Sequence, residues 1–282
     1  MFAPLLPSSG VIGYQLLTST EESQRAVFEA QPEVAREVDY FVRNIGAVET
    51  AEDLVSDRRL LAVALGAFGL DEEIDKRAFM QRILAEGTED PDAFANVFVD
   101  PRYNKITDAF GFADIGGPQT SVSGFAQTIT SAYTEKRFEI AVGEQDESLR
   151  LALNFRREIA TYATASDPDG TAWLSVLGDQ PVRQVFEDAF GLSSASFAQI
   201  DVDRQQSELR RLNDRAFGST SLDIFQDEAV VDTAIKRFLA QRSVEEGPSA
   251  STRGFAALTL LSAAANGFGD TGVQNLVISS TL

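Results

Sequence analysis

The chain reads as an all-α protein of about ten to twelve helices, in two related helical parts that arose by internal duplication. Three observations lead there. Apolar residues recur at spacings of three and four through most of the 282 residues, while alternating, strand-like runs are nearly absent. Helix-start residues (Ser, Thr or Asp, often before Pro or Glu) precede several of these stretches, and Gly follows several of them. The phrase Ala-Phe-Gly closes three stretches: ALGAFGL at Ala64 to Leu70, ITDAFGF at Ile106 to Phe112, and FEDAFGL at Phe186 to Leu192.

Taken in order, TSTEESQRAVFEA (Thr18 to Ala30) carries hydroxyl residues ahead of Glu21 and Glu22, a capping arrangement that predicts a helix start. Pro32 suits the first turn of a helix running to Asn44-Ile45-Gly46, with Gly46 in the left-handed position after its end. Asp90-Pro91 and Asp100-Pro101 each place a capping carboxylate before a proline whose missing N–H costs nothing there. ADIGGPQTSVSG (Ala113 to Gly124), rich in Gly and Ser, predicts a crossing between parts. Long helices follow at 125–142 and 147–162, ASDPDGTAW interrupts, and helices resume near Thr171, Gln180 and Asp203. Ile224, Phe225, Val230, Val231, Ile235, Phe238 and Leu239 predict one amphipathic helix over 221–242, before the joint SVEEGPSASTRG. The expected organisation is a first part at 1–113, a crossing at 114–124, a second part at 125–242, and a joint with an apolar C-terminal segment at 243–282.

A shift of 122 positions lays LVSDRRLLAVALGAFGL (Leu54 to Leu70) over VLGDQPVRQVFEDAFGL (Val176 to Leu192) without a gap, matching Asp57 with Asp179. A shift of 80 lays Pro101 to Phe112 over Pro181 to Leu192. The shared motif has a mechanical reading: Asp caps the helix start, Gly turns left-handed after its end, and the next large apolar residue packs back in a Schellman motif. Gly69, Gly111 and Gly191 therefore mark helix ends, whereas anion-binding glycine loops need the free N–H groups of helix starts.

Composition removes whole classes of chemistry. The chain has no Cys and no His, which excludes thiolate nucleophiles, Cys-ligated metals and every Ser-His-Asp arrangement. With 24 Lys plus Arg against 43 Asp plus Glu, the net charge of −19 opposes nucleic acid and anionic lipid as partners. Only four of the cations are lysines, so arginine pairing within the chain is the expected use of positive charge. GFGDTG (Gly267 to Gly272) has dinucleotide-loop spacing without the strand or the downstream acid, and DPDGT and DVDRQ lack the Gly and Glu of a calcium loop. No cofactor or metal is expected. The opening MFAPLLPSSGVIGYQLL lacks the basic start of a secretory signal, and no run reaches membrane-spanning length, so a cytoplasmic start is expected. As partner-binding candidates stand Trp173, the only tryptophan, and Phe255, Leu258, Leu260 and Leu261 of the apolar C-terminal run. Trp173 has a core reading beside the anchor one.

FANVFVDPRY (Phe94 to Tyr103) and SVLGDQPVR (Ser175 to Arg183), with the sequence around them from about Gly13 to Arg242, resemble a family of repeated helical proteins of flagellated alphaproteobacteria, a domain of unknown function often encoded among flagellar genes. The resemblance implies a flagellum-associated role and carries over no catalytic or cofactor-binding residue. The expected function is a non-enzymatic structural or assembly protein acting through protein–protein contacts, with flagellar components as partners. Two alternatives stand beside it: a cytoplasmic chaperone or regulatory adaptor, and an enzyme working with carboxylates alone.

Overall fold

The computed structural model describes residues 3–98 and 100–246. Among them are thirteen α-helices, eleven longer than six residues, with short 3-10 turns and no strand. Helices α1 (Gly10–Glu29), α2 (Pro32–Asn44), α3 (Ala51–Ser56), α4 (Arg58–Phe68), α5 (Arg77–Ala85) and α6 (Pro101–Phe110) come first. After α7 (Phe125–Gly143) and α8 (Glu147–Ala163) follow α9 (Thr171–Gly178), α10 (Gln180–Ala189), α11 (Ser194–Phe197), α12 (Val202–Phe217) and α13 (Glu228–Glu246).

Two apolar cores form. The first gathers Phe41, Leu61, Leu65, Ile83, Ile106 and Phe110 from α2 to α6. The second gathers Phe155, Trp173, Phe186, Phe225 and Phe238 with Leu17, so α1 packs with the later helices although it opens the chain. Helix α7 serves both: Ile129 and Tyr133 enter the first core, Phe138 and Val142 the second.

The caps follow the sequence closely. Asp57 accepts from the N–H groups of Arg59 and Leu60, Asp100 from Arg102, and Asp179 from Val182, each at the start of its helix. Gly69 and Gly191 both have φ of 68°. Behind them Leu70 N donates to Leu65 O at 2.9 Å and Leu192 N to Glu187 O at 2.8 Å, which makes both ends Schellman motifs. Gly111 differs: its N–H donates to Thr107 O at 2.9 Å, the simpler left-handed cap. The offset of 122 reaches further upstream than the aligned segments. Tyr40 donates its hydroxyl to Asp57 Oδ2 at 2.7 Å, and Tyr162 donates to Asp179 Oδ2 at 2.7 Å, each pair 17 residues apart.

Five local expectations need correction. Helix α1 starts at Gly10 and runs through Thr18 to Thr20, whose hydroxyls bond back to carbonyls of the preceding turn (Thr18 to Tyr14, Thr20 to Leu16) instead of capping. Gly46 is not left-handed, because the chain tightens into a 3-10 turn at Ile45–Ala47. Asp90-Pro91 opens a turn, not a helix, with Asp90 Oδ1 accepting from Asp92 N at 2.9 Å. The 114–124 stretch is tied down: Thr120 is buried and donates to Val48 O at 2.5 Å, while Asp114 Oδ1 accepts from Thr88 N at 2.9 Å. The single helix expected over 221–242 is split into a 3-10 turn at Leu222–Gln226 and α13, with Asp227 Oδ1 accepting from Ala229 N at 2.9 Å.

Candidate functional site

Helices α4, α6, α7, α8 and α10 converge on a cleft of about 770 Å³ between the two cores. Its walls carry six cations (Arg102, Lys105, Lys136, Arg137, Arg150, Arg157) and five acids (Asp71, Glu72, Glu139, Glu158, Asp179). Helical spacing explains the convergence: Asn154, Arg157, Glu158 and Thr161 share one face of α8, and Lys136 and Glu139 lie one turn apart on α7.

Glu158 is the hub. Lys105 Nζ of α6 reaches it at 2.8 Å, Arg157 Nη1 bonds it from the neighbouring position, and Lys136 Nζ stands 3.5 Å away. Arg157 also grips Glu139 through Nε at 2.9 Å and Nη2 at 3.0 Å, a two-pronged contact that fixes α8 against α7. With its amide oxygen turned to the cations, Asn154 accepts from Arg157 Nη2 at 2.8 Å and from Lys136 Nζ at 3.0 Å. Arg102 holds Asp100 and Glu72 and donates to Gly69 O, tying α6 to the end of α4.

These contacts set the charge states. Burial alone would raise the Glu158 carboxyl, but Lys105, Arg157 and Lys136 outweigh it and hold the group far below the usual carboxylate range. Burial pushes the Lys136 ammonium down, Arg157 adds to the effect, and Glu139, Glu158 and Asp179 offset it only in part. Loss of solvent raises Asp71, against its backbone hydrogen bond and the nearby Arg137 and Lys136. Most of the positive charge in the cleft is thus paired with the chain's own acids.

A second concavity of about 560 Å³ lies between α9, α11 and α12. Leu177 and Phe197 form its apolar floor, Leu174, Ala198 and Val202 its sides, and Leu174 and Val202 are exposed. Arg183 at its edge is occupied, donating to Leu177 O at 2.7 Å and pairing with Glu187 at 3.1 Å.

Trp173 is not on that surface. It is 0% exposed, its ring lies 5.3 Å from that of Phe186, and its indole N–H donates to Thr220 O at 2.9 Å. The anchor reading of Trp173 gives way to the core reading, because both its apolar body and its one donor are already satisfied inside. Phe255, Leu258, Leu260 and Leu261, and the GFGDTG stretch, lie outside the described residues.

A family model described as a protein of unknown function (DUF1217) matches residues 67–231, more than half of the chain. The chain belongs to the DUF1217 family. A solved structure is similar as well: the crystal structure of an Agrobacterium tumefaciens protein, a structural-genomics target, is 26% identical to this chain. The likeness covers 88% of this chain and 100% of that one, with a TM-score of 0.69. No curated protein matches. The DUF1217 stretch contains every cleft-lining residue and the whole apolar concavity, as well as Tyr162 and Asp179, while Tyr40 and Asp57 fall before it.

Sequence reasoning missed the cleft. Its charged residues come from separate stretches between 71 and 179, and only the scarcity of lysine, two of whose four positions are Lys105 and Lys136, hinted that these cations were placed individually.

Proposed function

We propose that this DUF1217 protein is a non-enzymatic structural or assembly component associated with the bacterial flagellum, working through protein–protein contacts. The flagellar part rests on the resemblance carried by FANVFVDPRY and SVLGDQPVR to proteins encoded among flagellar genes. The contact part rests on one observation: Leu174 and Val202 expose apolar surface at the rim of a concavity with an apolar floor. Such a patch is what a partner's side chains bury. The cleft speaks against the alternative of an enzyme working with carboxylates alone, since Glu139 and Glu158 are both clamped by Arg157 and Glu158 is held ionised. A carboxylate general acid needs the opposite shift. The paired Tyr–Asp contacts at one offset support descent of the two helical parts from a duplicated unit.

Deleting the gene should impair flagellar assembly and swimming, and the Val202→Asp variant should fail to restore them while accumulating normally. Normal swimming in the deletion strain rejects the flagellar role. Co-sedimentation with isolated basal bodies is expected of a built-in component, whereas a soluble complex with one export substrate would point to a chaperone.

A further inference from the structure

The central cleft contains a lysine that its surroundings leave short of countercharge. Glu158 is divided among three cations, and Lys136 has the longest of the three links, at 3.5 Å. The carboxylate that could have served Lys136 from its own helix, Glu139, is taken by both prongs of Arg157. Beyond that long link to Glu158, Lys136 has the neutral amide oxygen of Asn154 at 3.0 Å, with the amide turned to the cations. Arg137, the next residue, also lines the cleft. It makes no ion pair or hydrogen bond with a described residue, and its Nε is sealed from solvent without an acceptor. The cleft is therefore lined by an amine whose ion pair to Glu158 is long and, from the next helical position, by a guanidinium that has Asp71 nearby but no ion pair or hydrogen bond to a described residue, around a space large enough for a small molecule.

We propose that Lys136 is a reactive amine that captures a small oxo acid as an imine in this cleft, with the Arg137 guanidinium holding the carboxylate of the ligand. An amine in a desolvated site beside another cation is the arrangement that frees a lysine for Schiff-base chemistry. The direction of the Lys136 shift, downward through burial and Arg157, agrees with it. Asp71, Glu139, Glu158 and Asp179 are the acids facing this part of the cleft. The step balances without an oxidant. Lys136 first releases its extra proton to solvent; the amine nitrogen then adds its electron pair to the carbonyl carbon. The carbonyl oxygen leaves as water with the two hydrogens of the amine, and a carbon–nitrogen double bond remains. The inference concerns binding and capture, and stands or falls separately from the contact surface on α9, α11 and α12.

The test uses the full chain, pyruvate as probe, and cyanoborohydride, whose hydride converts any imine to a stable secondary amine. Only four lysines need to be mapped by mass spectrometry. Their side chains are 60% (Lys76), 40% (Lys236), 29% (Lys105) and 14% (Lys136) exposed, so labelling governed by exposure would reach Lys136 last. The expected result is the reverse: Lys136 labelled first, with Arg137→Gln slowing its reaction with pyruvate about tenfold, in line with loss of a charge-assisted contact. Acetaldehyde, which lacks a carboxylate, should show no such dependence on Arg137. Lys136→Arg should remove the adduct while keeping the melting midpoint near that of the parent chain. Labelling in the order of exposure overturns the proposal, as does equal labelling by pyruvate with and without Arg137. If Arg137→Gln destabilises the fold, competition of acetate against pyruvate on the unaltered chain gives the same answer: protection of Lys136 by acetate supports a carboxylate site, and its absence overturns it.

Discussion

Two tyrosine–aspartate contacts, 122 positions apart, share one geometry and sit in different surroundings. Tyr40 and Asp57 meet at 2.7 Å beside α4, where Tyr40 is half-buried and Arg59 stacks 3.6 Å above its ring. Tyr162 and Asp179 meet at the same distance in the interior, with Lys105 5.0 Å from the tyrosine ring and the cleft at the back of the aspartate. The hydrogen bond to Asp57 is the main reason the Tyr40 hydroxyl is raised, whereas for Tyr162 burial leads and Asp179 comes second. The difference shows that one local device, a tyrosine steadying the capping aspartate of a following helix, serves equally in a wet and a dry setting. In the dry one its loss should cost more, because no water can take the place of the hydroxyl.

The residues around the two contacts differ as well. Three residues of the second region, Trp173, Phe186 and Glu158, correspond at the same offset to Ala51, Ala64 and the exposed Arg36. At these matched positions the second region carries two large buried rings and a half-buried acid where the first carries two small alanines and an exposed arginine, although both cores contain aromatic side chains elsewhere.

The largest effect that could break the comparison is at Trp173. Trp173→Ala should cost about 3–5 kcal/mol in urea unfolding, from the cavity and the lost ring contacts. A cost below about 1 kcal/mol would mean that the second core does not rely on its aromatic set. Next comes Glu158→Gln, which leaves Lys105, Lys136 and Arg157 without their shared acid and should cost about 3 kcal/mol. Arg36→Gln, its counterpart, should leave the midpoint unchanged. The pH dependence separates the two further. Because the folded carboxyl of Glu158 is depressed, its stabilisation is fully present above the unfolded value of about 4.3 and disappears as pH falls toward the folded one. Melting curves of the parent chain below about pH 4 should therefore fall more steeply than those of Glu158→Gln.

Tyr162→Phe, which strands a buried carboxylate oxygen of Asp179, should cost about 2 kcal/mol. Tyr40→Phe should move the urea midpoint much less, since water can replace the hydroxyl at Asp57. Equal losses would show that burial is not what distinguishes the two. The smallest effects should be the same in both regions. Gly69→Ala and Gly191→Ala force a side chain into φ of 68° with no neighbour closer than 3.7 Å to the added carbon, so each should cost about 1 kcal/mol.

Local features were the legible part of the sequence. Asp57, Asp100 and Asp179 announce their helices because a cap and the N–H groups it accepts lie within three residues, and Gly69 and Gly191 announce the ends for the same reason. Tyr40 and Tyr162 were not legible, since each acts 17 residues downstream across an intervening short helix, α3 or α9. Asp90-Pro91 carried a start signal as good as that of Asp100-Pro101, but the residues after it pack Phe94 and Phe98 onto Phe79 instead of continuing a helix. The apolar spacing across 221–242 concealed the break at Asp227, because a 3-10 turn and the helix after it can present their large residues to the same core. The cleft was the least legible of all. A residue such as Lys136 is defined by which acids have already been claimed by its neighbours, and that is settled only when α6, α7 and α8 meet.

Helix α7 gives one end to each core, and its 19 residues span about 28 Å as one rod. Neither core can come apart without exposing the half of α7 that it buries, on a helix whose opposite half the other core holds. The thermodynamic consequence is linkage: a substitution in one core is felt in the melting of both, and heat should dissolve them in a single transition. The mechanical consequence is leverage, since a rod with no internal hinge turns a tilt at Ile129 into a displacement at Val142.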